Sequence, residues 1–268
     1  MGNDEFSILE MISKIGLENI YQKFNRRKYV HPDPLEFLYR YPGIQDREIV
    51  GMISSSLAYG RVAQILKSTE TVLDKMGSSP FGFLMKSSNR SLSKTFSGFK
   101  HRFTTDEGLV SLMTGIKKII SRHGSLNLCF VAGLNRNDKT IIEALVKFVG
   151  KLNCSDRYLI PLPEKRGACK RLNLFLRWMV RKDAVDPGGW ETVPKRKLIV
   201  PIDTHMARIG RMLGATMRKT ADMKMALEIT ETFKKLAPRD PVKYDFALTR
   251  FGIRNDLQIT ALQREMNG

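Results

Sequence analysis

The 268-residue chain is long enough for one large domain or two small ones, and its 42% apolar residues allow a sizeable core. Lysine and arginine (45) outnumber aspartate and glutamate (27), giving a formal charge of +18 that attracts polyanions, nucleic acid above all. Three cysteines without a CxxC pair exclude a full disulfide framework and argue against a structural zinc or an iron–sulfur cluster. We therefore expect no metal, no cofactor and a reducing, cytoplasmic environment.

The amino end and the apolar stretches argue against export and membrane insertion. Residues 1–10 lack the basic segment and apolar run of a signal peptide. The longest apolar stretch, near residues 126–134, is too short to span a bilayer. The sequence thus predicts a protein that does not enter a membrane.

Helical periodicity dominates the chain and long alternating strand patterns are absent, so we predict an all-α fold. The first clear helix starts at Asp33-Pro34, and a capping box at Thr104 and Glu107 marks another start. In chain order, the other predicted helices cover residues 46–60, 62–76, 139–149 and 171–181, a helix capped by Asp203, and residues 221–236 and 241–251. Composition predicts exposed loops at residues 87–100, 153–167 and 183–197, and an extended piece at 198–201.

Two segments carry candidate chemistry. Asp203 stands at a predicted helix start, where backbone N–H groups and the helix dipole favour a charged carboxylate, although an ordinary structural cap is an alternative. The helix from Lys170 has one apolar stripe, and Lys170, Arg177 and Arg181 share a neighbouring face. Such a face suits a phosphate backbone, and a merely solvated basic face is the alternative.

The Asp203 segment resembles a signature of the helix–hairpin–helix DNA glycosylases. Ile202-Asp203-Thr204-His205-Met206-Ala207-Arg208-Ile209 is similar to V-D-T-(H/N)-V-x-R-(V/I), and Arg211-Met212-Leu213-Gly214 follows as expected. Residues 48–57 resemble the first core helix of that superfamily, and residues 240–253 its closing helix and glycine. The gap of 33 positions from Lys170 to Asp203 is similar to the archaeal 8-oxoguanine glycosylase branch. The chain as a whole also looks similar to an uncharacterised bacterial family.

The resemblance has one clear departure. The usual hairpin, L-P-G-V-G, begins with Leu162-Pro163 but continues as Glu164-Lys165-Arg166-Gly167. The resemblance therefore implies a two-lobed, all-α glycosylase-like fold with a degenerate hairpin. Its expected parts are amino-terminal helices in residues 1–45 that pack on the carboxyl-terminal lobe, a middle lobe in residues 46–152, and a carboxyl-terminal lobe in residues 153–268 that carries the active site.

The resemblance also implies residue roles. Asp203 would stabilise the positive charge that develops on the sugar during base excision, and Lys170 would be the nucleophile of a bifunctional glycosylase and lyase. The lysine must be neutral to attack, which burial and the nearby Arg171, Arg177 and Arg181 would favour. Tyr59 and Arg61 would fill the gap left by the extruded base. The residues expected to contact double-stranded DNA are Tyr59, Arg61, Arg171, Arg177, Arg181, Lys182, His205 and Arg208.

Several alternatives stay open at this point. Lys165 and Lys182 are alternatives to Lys170 as the nucleophile, and in another route Asp203 activates water without any lysine. The alternative functions are an N-glycosidase that acts on a modified nucleoside or nucleotide, and a protein that binds nucleic acid without catalysis. We expect a monomeric base-excision glycosylase that removes a damaged base such as an oxidised purine.

Overall fold

The protein is all-α, as predicted: helices dominate the computed structural model, and the strands among the described residues form one short hairpin. The structure describes residues 14–254 together with residues 257, 261, 262 and 264. The amino-terminal segment considered for a signal peptide lies outside the described residues, and so do parts of the first and last predicted domains.

The elements run in one order along the described chain. The α-helices are α1 (Lys14–Phe24), α2 (Ile44–Ser56), α3 (Val62–Met76), α4 (Pro80–Lys86), α5 (Asn89–Phe96), α6 (Asp106–His123), α7 (Leu126–Val131), α8 (Ile142–Leu152), α9 (Lys170–Val180), α10 (Thr204–Met212), α11 (Met223–Leu236) and α12 (Asp245–Ile253). Strands β1 (Lys100–His101) and β2 (Thr104–Thr105) precede α6, and 3-10 helices cover Arg27–Tyr29, Pro34–Arg40, Pro163–Lys165 and Lys195–Lys197.

Helix α2 lies at the centre of the packing that positions the site. Its residues from Glu48 to Ser56 are all buried, and it contacts α9 on one side and the 3-10 helix Pro34–Arg40 on another. Gly51 permits this close approach, since a β-carbon there would lie 3.3 Å from the sulfur of Met179 on α9. Helix α12 in turn contacts both α10 and α1. The start of α9 is therefore held next to the loops that follow α2 and precede α10.

Two local predictions are wrong. The serine- and lysine-rich segment 87–100 contains helix α5, because Leu92 and Phe96 recur four residues apart and are both fully buried. The capping box at Thr104 is also wrong, since Thr104 pairs with His101 in the hairpin and α6 begins at Asp106. The residue at the N-cap of α6 is Thr105, whose hydroxyl donates a hydrogen bond to the Glu107 carboxylate and accepts none from a backbone N–H group.

Other helix predictions are confirmed. Helix α3 has the predicted limits, with Gly77 at its end in a positive-φ conformation (71°) that glycine adopts at little cost. Helix α9 differs from the predicted range by one residue at each end, and Asp203 does cap α10. No helix among the described residues combines the length and apolar character needed to cross a membrane.

Candidate active site

Lys170 is the first residue of α9, directly after the departure from the usual hairpin sequence. The chain passes through the 3-10 turn Pro163–Lys165 and then places Arg166 and Cys169 at φ 62° and 48°, in the left-handed region. These two residues adopt the left-handed backbone conformations that a glycine pair would adopt at lower cost in the usual hairpin. Buried Leu172, Phe175, Leu176 and Met179 fix the rotation of α9 and leave the Lys170 side chain half-buried.

Asp203 occupies the N-cap of α10, as the sequence predicts. Its Oδ1 accepts a hydrogen bond from the Met206 backbone N–H at 2.8 Å. The cap leaves Oδ2 directed away from the helix, and only 16% of the side chain is exposed. A carboxylate in this position is ordered by the cap and lies at the positive end of the helix dipole.

The fold brings the two predicted catalytic residues together. Lys170 Nζ lies 3.4 Å from Asp203 Oδ2, although 33 positions separate the residues in sequence. The other lysines considered, Lys165 and Lys182, also lie in the described part of the chain, and both are exposed. Of these three, Lys170 is the one that contacts Asp203.

The Lys170–Asp203 pair lines a cavity of about 270 Å³ between several segments of the chain. Helices α9, α10 and α12, the loop after α2 and the segment before Pro34 all contribute to its walls. Its apolar and glycine lining consists of Pro32, Pro34, Ala58, Gly60, Val62, Ile65, Leu174, Pro201, Gly252 and Ile253. The volume lies near the lower limit of ~300–1,000 Å³ that is typical of small-molecule sites.

Two ion pairs also line the cavity, and most of their residues were missed at the sequence level. Arg177 Nη1 donates to Asp245 Oδ2 at 2.5 Å, and Arg250 Nη2 donates to Asp33 Oδ2 at 2.9 Å. Burial raises the pKa of Asp245 to about 6, and Asp203 acts in the same direction while Arg177 opposes it. Asp33 carried only a helix-start signal and Asp245 only a motif resemblance, so neither was assigned a place in the site.

The prediction that Arg177 and Arg181 form an exposed basic face is wrong. Both guanidinium groups are almost fully buried, with 3% of each side chain exposed. Arg177 pairs with Asp186 and Asp245, and Arg181 pairs with Asp183, Asp186 and Asp240. Four carboxylates thus surround two cations, and this cluster presents no excess positive charge to a phosphate or to Lys170.

Tyr59 and Arg171 lie together beside the cavity. The Tyr59 hydroxyl is 2.8 Å from the His101 carbonyl oxygen and 2.9 Å from Thr104 Oγ1, so this side chain is fixed against the hairpin. Arg171 donates to the Ser56 carbonyl oxygen at 3.2 Å, and its guanidinium carbon lies 4.7 Å from the centre of the Tyr59 ring. Both side chains are half-buried, and Tyr59 does not project as a free plug.

The remaining predicted DNA contacts are distributed around the site. His205 lines the cavity, and its ring packs closely against Gly252. A β-carbon at position 252 would lie 2.3 Å from His205 Nδ1. Arg61, Lys182 and Arg208 are exposed. Among the described residues, no three histidine, cysteine, aspartate or glutamate side chains converge as a set of metal ligands.

Comparison with known proteins gives a match to a protein family. The model of a family described as "Protein of unknown function (DUF2400)" matches residues 33–254, which include every residue named above as lining the cavity except Pro32. No curated protein and no solved structure matches the chain. Because the match extends over more than half of its length, the chain belongs to the DUF2400 family.

Proposed function

We propose that this protein is a DNA base-excision glycosylase in which Asp203 and Lys170 act on the sugar of an extruded nucleotide. The observation that carries the proposal is the 3.4 Å contact between Lys170 Nζ and Asp203 Oδ2 at the wall of the cavity. A carboxylate at a helix start and an amine at another helix start meet there, in the residues that resemble the glycosylase signature.

Asp203 would act electrostatically. Cleavage of an N-glycosidic bond develops positive charge on the sugar ring, and a fixed carboxylate in a partly water-excluded site stabilises that charge. The hydrogen bond from Met206 N–H holds one oxygen, so the other can face the sugar without reorganisation of the carboxylate once Lys170 moves away from it. This preorganisation is what distinguishes a catalytic carboxylate from a flexible surface one.

Lys170 would act as the nucleophile. Its neutral amine attacks C1′ as the bond from C1′ to the base breaks, and the base leaves with the electron pair and takes up a proton. Loss of the amine proton and opening of the sugar ring then give a Schiff base, from which the DNA strand is cleaved by elimination. In the alternative route, Asp203 activates a water molecule and no covalent intermediate forms.

The cavity and the charge support a nucleic-acid substrate. A cavity of about 270 Å³ suits a single extruded base better than a whole nucleotide chain, and its ion-paired side chains offer polar partners to the edge of a base. The formal charge of +18 and the exposed Arg61, Lys182 and Arg208 favour the phosphate backbone. An oxidised purine is the lesion that the resemblance favours.

We further propose that the protein acts as a monomer in the cytoplasm. Cys129, Cys154 and Cys169 are free and buried thiols, which is typical of proteins from a reducing compartment.

The decisive experiment is a panel of duplexes, each with one damaged base, scored for base release. Asp203→Asn preserves the helix cap but removes the charge, so release should fall at least ~100-fold while DNA binding persists. Borohydride should trap a covalent adduct with the wild type but not with Lys170→Gln. Lys182→Gln tests the rival lysine and should still be trapped when DNA is saturating, a condition set because Lys182 is also a proposed phosphate contact. Release that is unchanged in Asp203→Asn would refute the proposed role of this carboxylate.

Other outcomes of the same panel separate the alternatives. Base release without any trapped adduct would indicate the water route. Release from free nucleosides but from no duplex would indicate the small-substrate N-glycosidase. Salt-sensitive DNA binding with no release from any substrate would indicate a binding protein that lacks catalysis.

A further inference from the structure

The turn between β1 and β2 presents an exposed aromatic pair. Phe103 at this turn is 62% exposed, and Tyr158, from the loop before α9, is 63% exposed. Their ring centres are 5.1 Å apart with an interplanar angle of 31°, and the guanidinium carbon of Arg102 lies 5.5 Å from the Phe103 ring centre. We call Arg102, Phe103 and Tyr158 the aromatic tip.

The aromatic tip is held rigidly although its rings face solvent. His101 and Thr104 close the turn as a strand pair, and the Tyr59 hydroxyl contacts both of them. On the other side, Asp156 Oδ1 accepts hydrogen bonds from the backbone N–H groups of Tyr158 (2.8 Å) and Leu159 (3.0 Å). Two large apolar rings are therefore kept exposed by ordered supports, which is uncommon for residues without a partner.

The aromatic tip adjoins the wall of the cavity. Gly60 lines the cavity, and a β-carbon at Gly60 would lie 2.7 Å from Arg102 Cδ, so the Arg102 side chain lies directly on this part of the wall. On the inner side, Arg171 follows Lys170 in sequence and stacks on Tyr59. The Tyr59 side chain thus contacts both Arg171 at the start of α9 and the hairpin that carries the aromatic tip.

We infer that the aromatic tip is a stacking surface for nucleobases of bound DNA that lie next to the extruded nucleotide; this inference rests on the proposed function. Aromatic faces bind unstacked bases of any sequence, and flanking arginines neutralise the phosphates that accompany them. Arg102 and Arg157, which precede Phe103 and Tyr158 in sequence, are both exposed, which favours DNA over an apolar protein surface. Arg102 also adopts a left-handed φ of 52°, a conformation that is uncommon for arginine and is often found at functional sites.

The first test is a fluorescent reporter. Both native tryptophans, Trp178 and Trp190, are buried at 0% exposure, so a Phe103→Trp variant places one additional, exposed indole at the aromatic tip. A duplex with a single abasic-site analogue should quench this added fluorescence as it binds. The spectrum of the wild type should change little under the same titration, because its indoles are inaccessible.

The second test is binding affinity for the same duplex. Phe103→Ala should weaken binding about 5- to 100-fold, the range typical of losing one base–aromatic stack. Leu128→Ala is the matched control, since Leu128 is also an exposed apolar side chain (57%) and lies on α7 away from the cavity lining. Because both side chains are exposed, both variants should unfold at the wild-type temperature, so a loss of binding is not a loss of fold.

The outcomes separate this inference from the proposed function. Tight binding that is unchanged in Phe103→Ala, together with an unquenched Phe103→Trp, would overturn the aromatic tip and leave the glycosylase proposal intact. Quenching and weakened binding without base release from any lesion would support the aromatic tip and remove the glycosylase proposal. A wild type that binds no DNA at low salt would overturn both.

Discussion

The buried Arg177–Asp245 pair predicts a specific pH dependence of stability. The Asp245 carboxyl is 2% exposed and accepts from Arg177 Nη1 at 2.5 Å. Burial is the largest influence and raises the pKa of Asp245 from 3.8 to about 6, because desolvation outweighs the attraction to Arg177. Asp203 and Asp186 strengthen this shift, since a further negative charge in the same cluster is unfavourable.

The sign of the pH effect follows from proton binding. Between pH 4 and pH 6, the folded chain retains a proton on Asp245 that the unfolded chain has released. The contribution of Asp245 to the free energy of unfolding should therefore decrease as the pH rises through this range and remain constant above about pH 7. A difference of about two pH units corresponds to at most about 3 kcal/mol.

Asp245→Asn isolates this contribution, because the amide mimics the protonated acid at every pH. Urea unfolding from pH 4.5 to 7.5 should show the variant gaining stability relative to the wild type as the pH increases, by about 1–3 kcal/mol in total. Glu231→Gln, at an exposed position of α11, is the control, and its free energy of unfolding should differ from that of the wild type by a constant amount across this pH range. The opposite result would be a wild type whose free energy of unfolding rises relative to that of Asp245→Asn as the pH increases. In that case attraction to Arg177 would exceed the cost of burial, and the reasoning would fail.

Two further predictions concern DNA affinity and the packing around His205. Arg208→Ala removes an exposed cation of α10, so DNA binding should weaken similarly on all sequences and its log–log salt slope should decrease by about one; an unchanged slope would exclude a phosphate contact. Gly252→Ala should destabilise the fold by about 1–3 kcal/mol in urea unfolding and reduce base release, because the new methyl group would lie 2.3 Å from His205 Nδ1. Gly150→Ala, in helix α8 with open space around it, should be neutral or slightly stabilising, and equal losses in the two glycine variants would refute the steric argument.

Much of the fold was predictable because its signals are local. Helix α3 follows an apolar periodicity that ends at Gly77, and the cap at Asp203 depends on a side chain and a backbone N–H three residues apart. Helix α5 was not predicted, because its serine- and lysine-rich composition is typical of a loop and only two residues, Leu92 and Phe96, show the apolar spacing of a helix. The β1–β2 hairpin has only two residues in each strand, too few for an alternating pattern to be recognised.

The candidate site was predictable only in part, because its arginines are neutralised by aspartates that are distant in sequence and are brought to them by the tertiary structure. The segment around Arg177 and Arg181 shows two cations on a helix face, and local sequence does not reveal that loops and α12 bring carboxylates to them. The same limit applies to Phe103, which gives no sign in sequence of remaining exposed. The Lys170–Asp203 pairing was predicted from resemblance, and periodicity alone would have left the two residues unconnected.

The surroundings of Lys170 bear on the choice between a lysine nucleophile and activated water. Two of the three arginines expected to favour a neutral amine, Arg177 and Arg181, are paired with aspartates. Asp203 lies 3.4 Å from Lys170 Nζ, so this ion pair must open before either residue can react. In the lysine route, Lys170→Gln removes the reacting atom, and both the trapped adduct and strand cleavage should disappear. In the water route, the same change releases Asp203 from its partner, so base release should persist or increase while no adduct forms in any variant. The rate of base release by Lys170→Gln, measured beside the borohydride trap, therefore distinguishes two mechanisms that share the same resting geometry.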